Sequence, residues 1–341
     1  MKKDRTIRLF FLVILTGTLL FMVVQFAIEN TEPDQKEIPD GWKIIRPPHD
    51  VMALAIQDDT IWAGGKDGVI GLDRESGQVV AELRTEPPMT YVRALLVDRE
   101  GGLWIGHPSG LTYYDGNTFQ TYSTDDGLPD IRVNALMQDH HGHIWVGTWG
   151  GAAVLENGEW RTLTEADGLA DDMVNVMLED NKGGLWFGSY VAPGGGLSYY
   201  NDGKWQLFTT QNGLPHNNIN TLSEDSDGNI WVGTGLYERG GAVTLVNNGT
   251  DWTVGHVLAK KDGLAGNKVR SFLQDTDGVM WFGSEYDGVA RWKAGEWQVL
   301  TEKNGLSNPE IKSLVQDDDA NLWIGTRDGI TRLNSTARQK L

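Results

Sequence analysis

The sequence contains no cysteine. That excludes disulfides, thiol nucleophiles and thiolate-ligated metal sites, together with any cysteine-linked lipid anchor. Positive charge is also scarce: 29 Lys and Arg stand against 47 Asp and Glu, for a formal net charge of −18. A surface of that sign repels phosphate backbones and anionic lipid, so no nucleic-acid partner is expected. Helical periodicity is missing from residue 41 onward, where apolar runs of strand length are broken by Gly, Asn or Asp. Long hydrophobic runs are likewise rare. The exception is residues 9–28, which number 20 and carry no charge.

About 20 apolar residues are what a helix needs to cross the hydrocarbon core. Lys2, Lys3, Arg5 and Arg8 precede the run, which keeps the N-terminus cytoplasmic and sends the remainder outward. The run ends "QFAIEN", with no small-x-small cleavage site, so an uncleaved anchor is expected and a cleaved signal peptide is the alternative. The expected plan is a cytoplasmic stub (1–8), a transmembrane helix (9–28), a flexible tether (29–40), one domain (41–334) and a C-terminal tail (335–341). The first 30 residues carry four basic and two acidic side chains, which leaves −20 for the exported part against −18 for the whole.

What the exported part does contain is a repeat. A Trp-apolar-Gly triplet begins at Trp62, Trp104, Trp145, Trp186, Trp231, Trp281 and Trp323, at spacings of 42, 41, 41, 45, 50 and 42 residues. A motif present seven times is not a single active site. Within one period four strand-length runs alternate with turn clusters, which is the blade period of a β-propeller, ~40–45 residues in the best-known type. The fold class expected is therefore all-β, a seven-bladed propeller of four-stranded antiparallel blades. Asp98, Asp139, Asp180, Asp225, Asp275 and Asp317 end the first strand of a repeat, where a carboxylate can accept backbone N–H groups in the following turn. The Trp should wedge between blades, and the Gly after it should admit a close neighbour.

The two ends of the repeat array complement each other. The last repeat lacks its fourth strand, and an orphan "GWKII" at residues 41–45 matches the fourth-strand pattern "EWQVL" at 296–300. The segment 42–46 is expected to complete the seventh blade and to remove the exposed edge that would otherwise invite aggregation.

The unit "DGLPDIRVNALMQDHHGHIWVGTWGG", residues 126–151, resembles the two-component regulator propeller repeat, and the resemblance extends over about 41–333. In that family such propellers commonly form the extracytoplasmic sensor of hybrid histidine kinases, often linked to glycan use. The resemblance implies a ligand-sensing module. No kinase, receiver or helix-turn-helix pattern follows residue 333, so signalling is expected through a separate histidine kinase or another membrane protein.

Function in a repeat protein is best sought where the copies differ. At the start of the innermost strand, the position after a β-branched residue reads Met52, Arg93, Asn134, Asn175, Asn220, Arg270 and Lys312. Facing the channel mouth, the six polar members would form a cationic funnel under an acidic shell, suited to a small anion or an acidic sugar. The competing structural reading pairs the cations with acidic loops such as Glu310 and uses the Asn side chains to satisfy strand ends. Loops after the second strand are longer at 189–196, 234–241 and 284–288. They bring Tyr190, Tyr237 and Tyr286 to the same face as Trp149, a set of rim aromatics suited to a flat ligand or to a protein partner.

Two further function classes stand beside a binder: a docking scaffold at the cell surface, and a propeller lyase or hydrolase. For the latter, His107 and His216 with Glu238 and Glu285 are acid–base candidates. His140, His141 and His143 in "HHGH", and "DSDGN" at 225–229, are read as turns rather than metal sites. No catalytic residue, metal or cofactor is assigned.

Overall fold

In a computed structural model of the chain, residues 38–85, 88–190, 194–249 and 251–341 are described. The expected stub, transmembrane helix and most of the tether lie outside them. Among the described residues no helix is long and apolar enough to cross a membrane.

Seven four-stranded antiparallel sheets are present. Six of these blades follow chain order, at residues 53–83, 94–122, 133–163, 174–208, 219–258 and 269–300. The seventh combines residues 311–333 with the early strand Trp42–Ile45, which pairs in register as Trp42↔Leu333, Lys43↔Arg332, Ile44↔Thr331 and Ile45↔Ile330. Each innermost strand lies against that of the next blade, and Ile311–Gln316 of blade 7 lies against Ala53–Gln57 of blade 1. The ring is closed as the sequence ends implied.

Two repeated contacts hold the blades. In blades 2 to 7 the indole N–H of the motif Trp donates to the turn Asp six residues earlier, from Trp104 to Asp98 at 2.8 Å through to Trp323 to Asp317 at 2.8 Å. The other carboxylate oxygen takes turn backbone N–H groups, as Asp180 does from Lys182 and Gly184. Blade 1 has no such Asp and uses Gln57, whose Oε1 accepts from Trp62 at 2.7 Å. The Asp turns are thus structural.

The second contact is a knob in a hole. A Cβ on Gly188 would lie 2.6 Å from Ile219 of the next blade, and one on Gly325 would lie 2.9 Å from Val51 of blade 1. The β-branched residue before the polar column therefore fills the space left by the missing side chain on the neighbouring blade. Both Ile219 and Val51 are fully buried. Gly188→Ala is expected to lower stability by about 1–3 kcal/mol, the usual cost of overpacking, read as a shift in urea midpoint at constant slope.

At the five junctions from blade 2 to blade 7 the chain returns inward through a single 3₁₀ turn, as at Thr124–Asp126, where Ser123 and Asp126 form a reciprocal capping box and Gly127 takes φ 105°. The Leu that follows, Leu128 in this case, is buried at the blade seam.

The C-terminus departs from the expected tail at 335–341. Ser335–Gln339 is a short α-helix capped by Asn334, whose side chain accepts from the Ala337 N–H at 2.8 Å. Arg338 is 2% exposed. It pairs with Asp275 and, at 2.8 Å, with Asp277 of blade 6, and its Nε donates to the Ala320 carbonyl at 3.1 Å. Burial and three acceptors, brought together only by the fold, turn the end of the chain into a plug.

Candidate binding site at the channel mouth

The polar column points into the channel because each innermost strand begins with a β-bulge. Register shifts fall between Val133 and Ala135, Val174 and Val176, Ile219 and Thr221, Val269 and Ser271, and Ile311 and Ser313. The extra residues are Asn134, Asn175, Asn220, Arg270 and Lys312. In blades 1 and 2 the Met52 and Arg93 N–H groups donate to Gly64 and Gly106 at 2.9 Å, the same glycines that face Ala53 and Ala94 in register. A bulge re-aims one side chain without breaking the strand. Repeated around the ring, it gathers seven side chains at one mouth.

They line a cavity of about 340 Å³. All seven members of the column are there, together with Trp149 and Tyr190. Tyr237 and Tyr286 are not: they stand outside the lining, 71% and 51% exposed. The Glu285 carboxylate beside Tyr286 pushes its hydroxyl up. The structure therefore gathers two of the four rim aromatics at the cavity and leaves two on the outer face.

Two lining residues escaped the sequence reading, Met173 and Lys268. Both stand immediately before the β-branched knob. Read down the repeats, that position is Asp50, Tyr91, Arg132, Met173, Asn218, Lys268 and Glu310, a second column straddling the same knob. A search two residues upstream of the first column would have found it.

The charges divide unevenly. Lys312 is spoken for, 2.9 Å from Asp50 and 2.8 Å from Glu310, as the structural reading anticipated. Lys268 and Arg270 share one carboxylate, Glu285, at 2.7 and 3.0 Å. Burial of Glu285 works against its charged form, but Arg270 and Lys268 outweigh this and hold its carboxyl below the usual range. Arg93 has no carboxylate within ion-pair distance among the described residues; its Nη1 donates to Asn134 Oδ1 at 2.9 Å. Burial, then the Arg270 charge, lower its pKa, with Tyr190 opposing.

Donors are in surplus as well. Arg93 Nε and Trp149 Nε1 are buried without a hydrogen-bond partner among the described residues. Asn175 and Asn220 give their Nδ2 groups to the carbonyls of Ile219 and Gly235 at 3.0 and 3.1 Å. An arc of cations thus faces an arc of amides, with Trp149, Met173 and Tyr190 adding apolar surface.

Five segments, residues 127–150, 168–191, 213–235, 263–286 and 305–328, match the two component regulator propeller family. The chain belongs to that family. Each matched segment of this two-component regulator propeller runs from a crossover glycine through the first two strands of a blade, and so covers the bulge, the knob and the Trp–Gly hole. No curated protein matches it by sequence. The extracellular domain of the hybrid two component system BT3049 from B. thetaiotaomicron superposes with a TM-score of 0.76 at 20% identity, over 89% of this chain and 42% of that one. The propeller therefore spans less than half the length of that relative. A streptogramin B lyase superposes with a TM-score of 0.66 at 15% identity, over 86% of this chain and 97% of the other. Virginiamycin B lyase from Staphylococcus aureus gives 0.65 at 12% identity, over 86% and 98%. At these identities the likeness is one of fold.

The histidines of this two-component regulator propeller are engaged elsewhere. His107 is buried, with Nε2 3.1 Å from the Thr112 hydroxyl and Nδ1 accepting from the Ser109 N–H at 3.3 Å; burial lowers its pKa. His216 Nδ1 accepts from the Asn218 N–H at 2.9 Å. In the opposite-face turn, His140 contacts Glu179, and His143 Nδ1 lies 3.0 Å from Asp139 Oδ2. None of these four lines the mouth cavity.

Proposed function

We propose that this propeller is the extracytoplasmic ligand-binding module of a sensor, held at the membrane by residues 9–28, which captures a small anion or an acidic sugar at the channel mouth. Its signal passes to a separate partner, a histidine kinase or another membrane protein. Arg93 carries the reading. A half-buried guanidinium with no carboxylate partner among the described residues, lining the same cavity as an unpartnered indole N–H and close enough to Arg270 to feel its charge, is a site short of an acceptor-only group. A carboxylate supplies that group and forms the strongest class of hydrogen bond with a guanidinium.

The family membership and the fold shared with an extracellular two-component domain support the sensor role and the extracytoplasmic location. Calorimetric titration of the full chain with trigalacturonate, its methyl ester and citrate tests the ligand class. At least one of the two anions is expected to bind, more weakly as salt rises, while the ester does not. Arg93→Ala is expected to weaken binding roughly tenfold or more, as loss of a charge-assisted pair does. Equal binding of acid and ester, or indifference to Arg93→Ala, would sink the reading.

A further inference from the structure

A second cavity, about 490 Å³, lies at the seam between blades 4 and 5. Its walls come from the outer hairpin turns of the two blades, with Lys182 from the inner turn of blade 4. Because the strands are antiparallel, these turns belong to the face opposite the mouth. Blade 5 differs from the rest here: its outer strands, Arg239–Asn247 and Trp252–Leu258, are the longest of their kind among the described residues. Gln206 ties the seam, donating to the Trp252 carbonyl at 2.7 Å and accepting from the Trp252 N–H at 3.2 Å.

The chemistry of this cavity is unlike that of the mouth. Three aromatic side chains line it, Tyr199, Trp205 and Trp252. Trp252 is 3% exposed, yet its indole Nε1 is buried without a partner among the described residues. Lys182 and Lys204 face Asp202 and Asp251, so the formal charges cancel, and none of the four forms an ion pair among the described residues. The amides of Asn201 and Asn247 add further donors and acceptors. The half-buried rings of Tyr199 and Trp205, with a net-neutral set of donors and acceptors, complement a molecule with apolar C–H faces and a hydroxylated edge. The size falls within the ~300–1,000 Å³ usual for small-molecule sites.

We infer that the seam between blades 4 and 5 binds a neutral oligosaccharide, independently of the anion site on the opposite face. The test titrates the full chain with cellohexaose, xylohexaose, mannohexaose and maltohexaose, following the indole N–H resonance of Trp252. At least one sugar is expected to bind and to shift that resonance. The double variant Asn201→Ala, Asp251→Ala is expected to weaken binding about tenfold, whereas Arg93→Ala leaves it unchanged. Absence of binding by all four sugars, a Trp252 resonance unmoved at saturation, or loss of binding with Arg93→Ala would overturn the proposal. The resonance in the unaltered protein decides even where the double variant folds poorly, and the Arg93 arm separates this site from the mouth.

Discussion

Deletion of residues 41–46 is expected to abolish cooperative folding or leave an aggregating chain. The strand Trp42–Ile45 is the fourth of blade 7, paired along its whole length with Gly329–Leu333. Ile45 is buried in the seam between blades 7 and 1, and Trp42 packs beside the cluster that joins blades 6 and 7. Burying Ile45 is worth roughly 1.5–3 kcal/mol, and the half-buried Trp42 adds to it. The lost ladder also bares the Gly329–Leu333 strand as an open edge, a template for pairing with other chains. Thermal melting and size-exclusion chromatography read both consequences. A monomer with an unchanged melting curve would show that the ring closes without this strand.

The second large effect is expected at the opposite terminus. Arg338 and Asp275 are 2% and 4% exposed, and Asp275 also accepts from the Trp281 indole at 2.9 Å and from the Asp277 and Val279 N–H groups. Arg338→Ala removes the positive partner of a buried carboxylate, which typically costs about 3–5 kcal/mol. The charge left behind sits on the turn that positions the motif Trp of blade 6, so the loss should spread through that blade. Pairing Arg338→Met with Asp275→Asn should recover only part of it: no charge is stranded, but the amide keeps one acceptor oxygen, so either the indole N–H or the two turn N–H groups lose their partner. Urea unfolding of the three proteins checks both steps. Identical midpoints for Arg338→Ala and the unaltered chain would mean that the helix is not a structural plug.

These two ends were not equally legible. The strand at Trp42 was visible because repetition makes an absence countable: one repeat short of a strand and one strand without a repeat admit a single pairing. Arg338 had no such frame. It falls outside the period, and nothing in "NSTARQKL" reports that Asp275, 63 residues earlier, will face it. The mouth lies between these cases. Its first column could be read from the repeat alignment. Lys268 and Met173 could have been read from the column two places upstream, though a single sequence does not say that both columns reach one cavity.

The amino-acid order by itself determined the number of blades, their closure and the choice of a polar first column, because each is a property of the period and a period is carried by the chain. Which cations are neutralised, which indole N–H groups are left without partners, and which aromatics reach a cavity were decided only in three dimensions. Such outcomes depend on distances across the ring and between neighbouring blades, set by bulges and loop lengths that bring together residues remote in the chain.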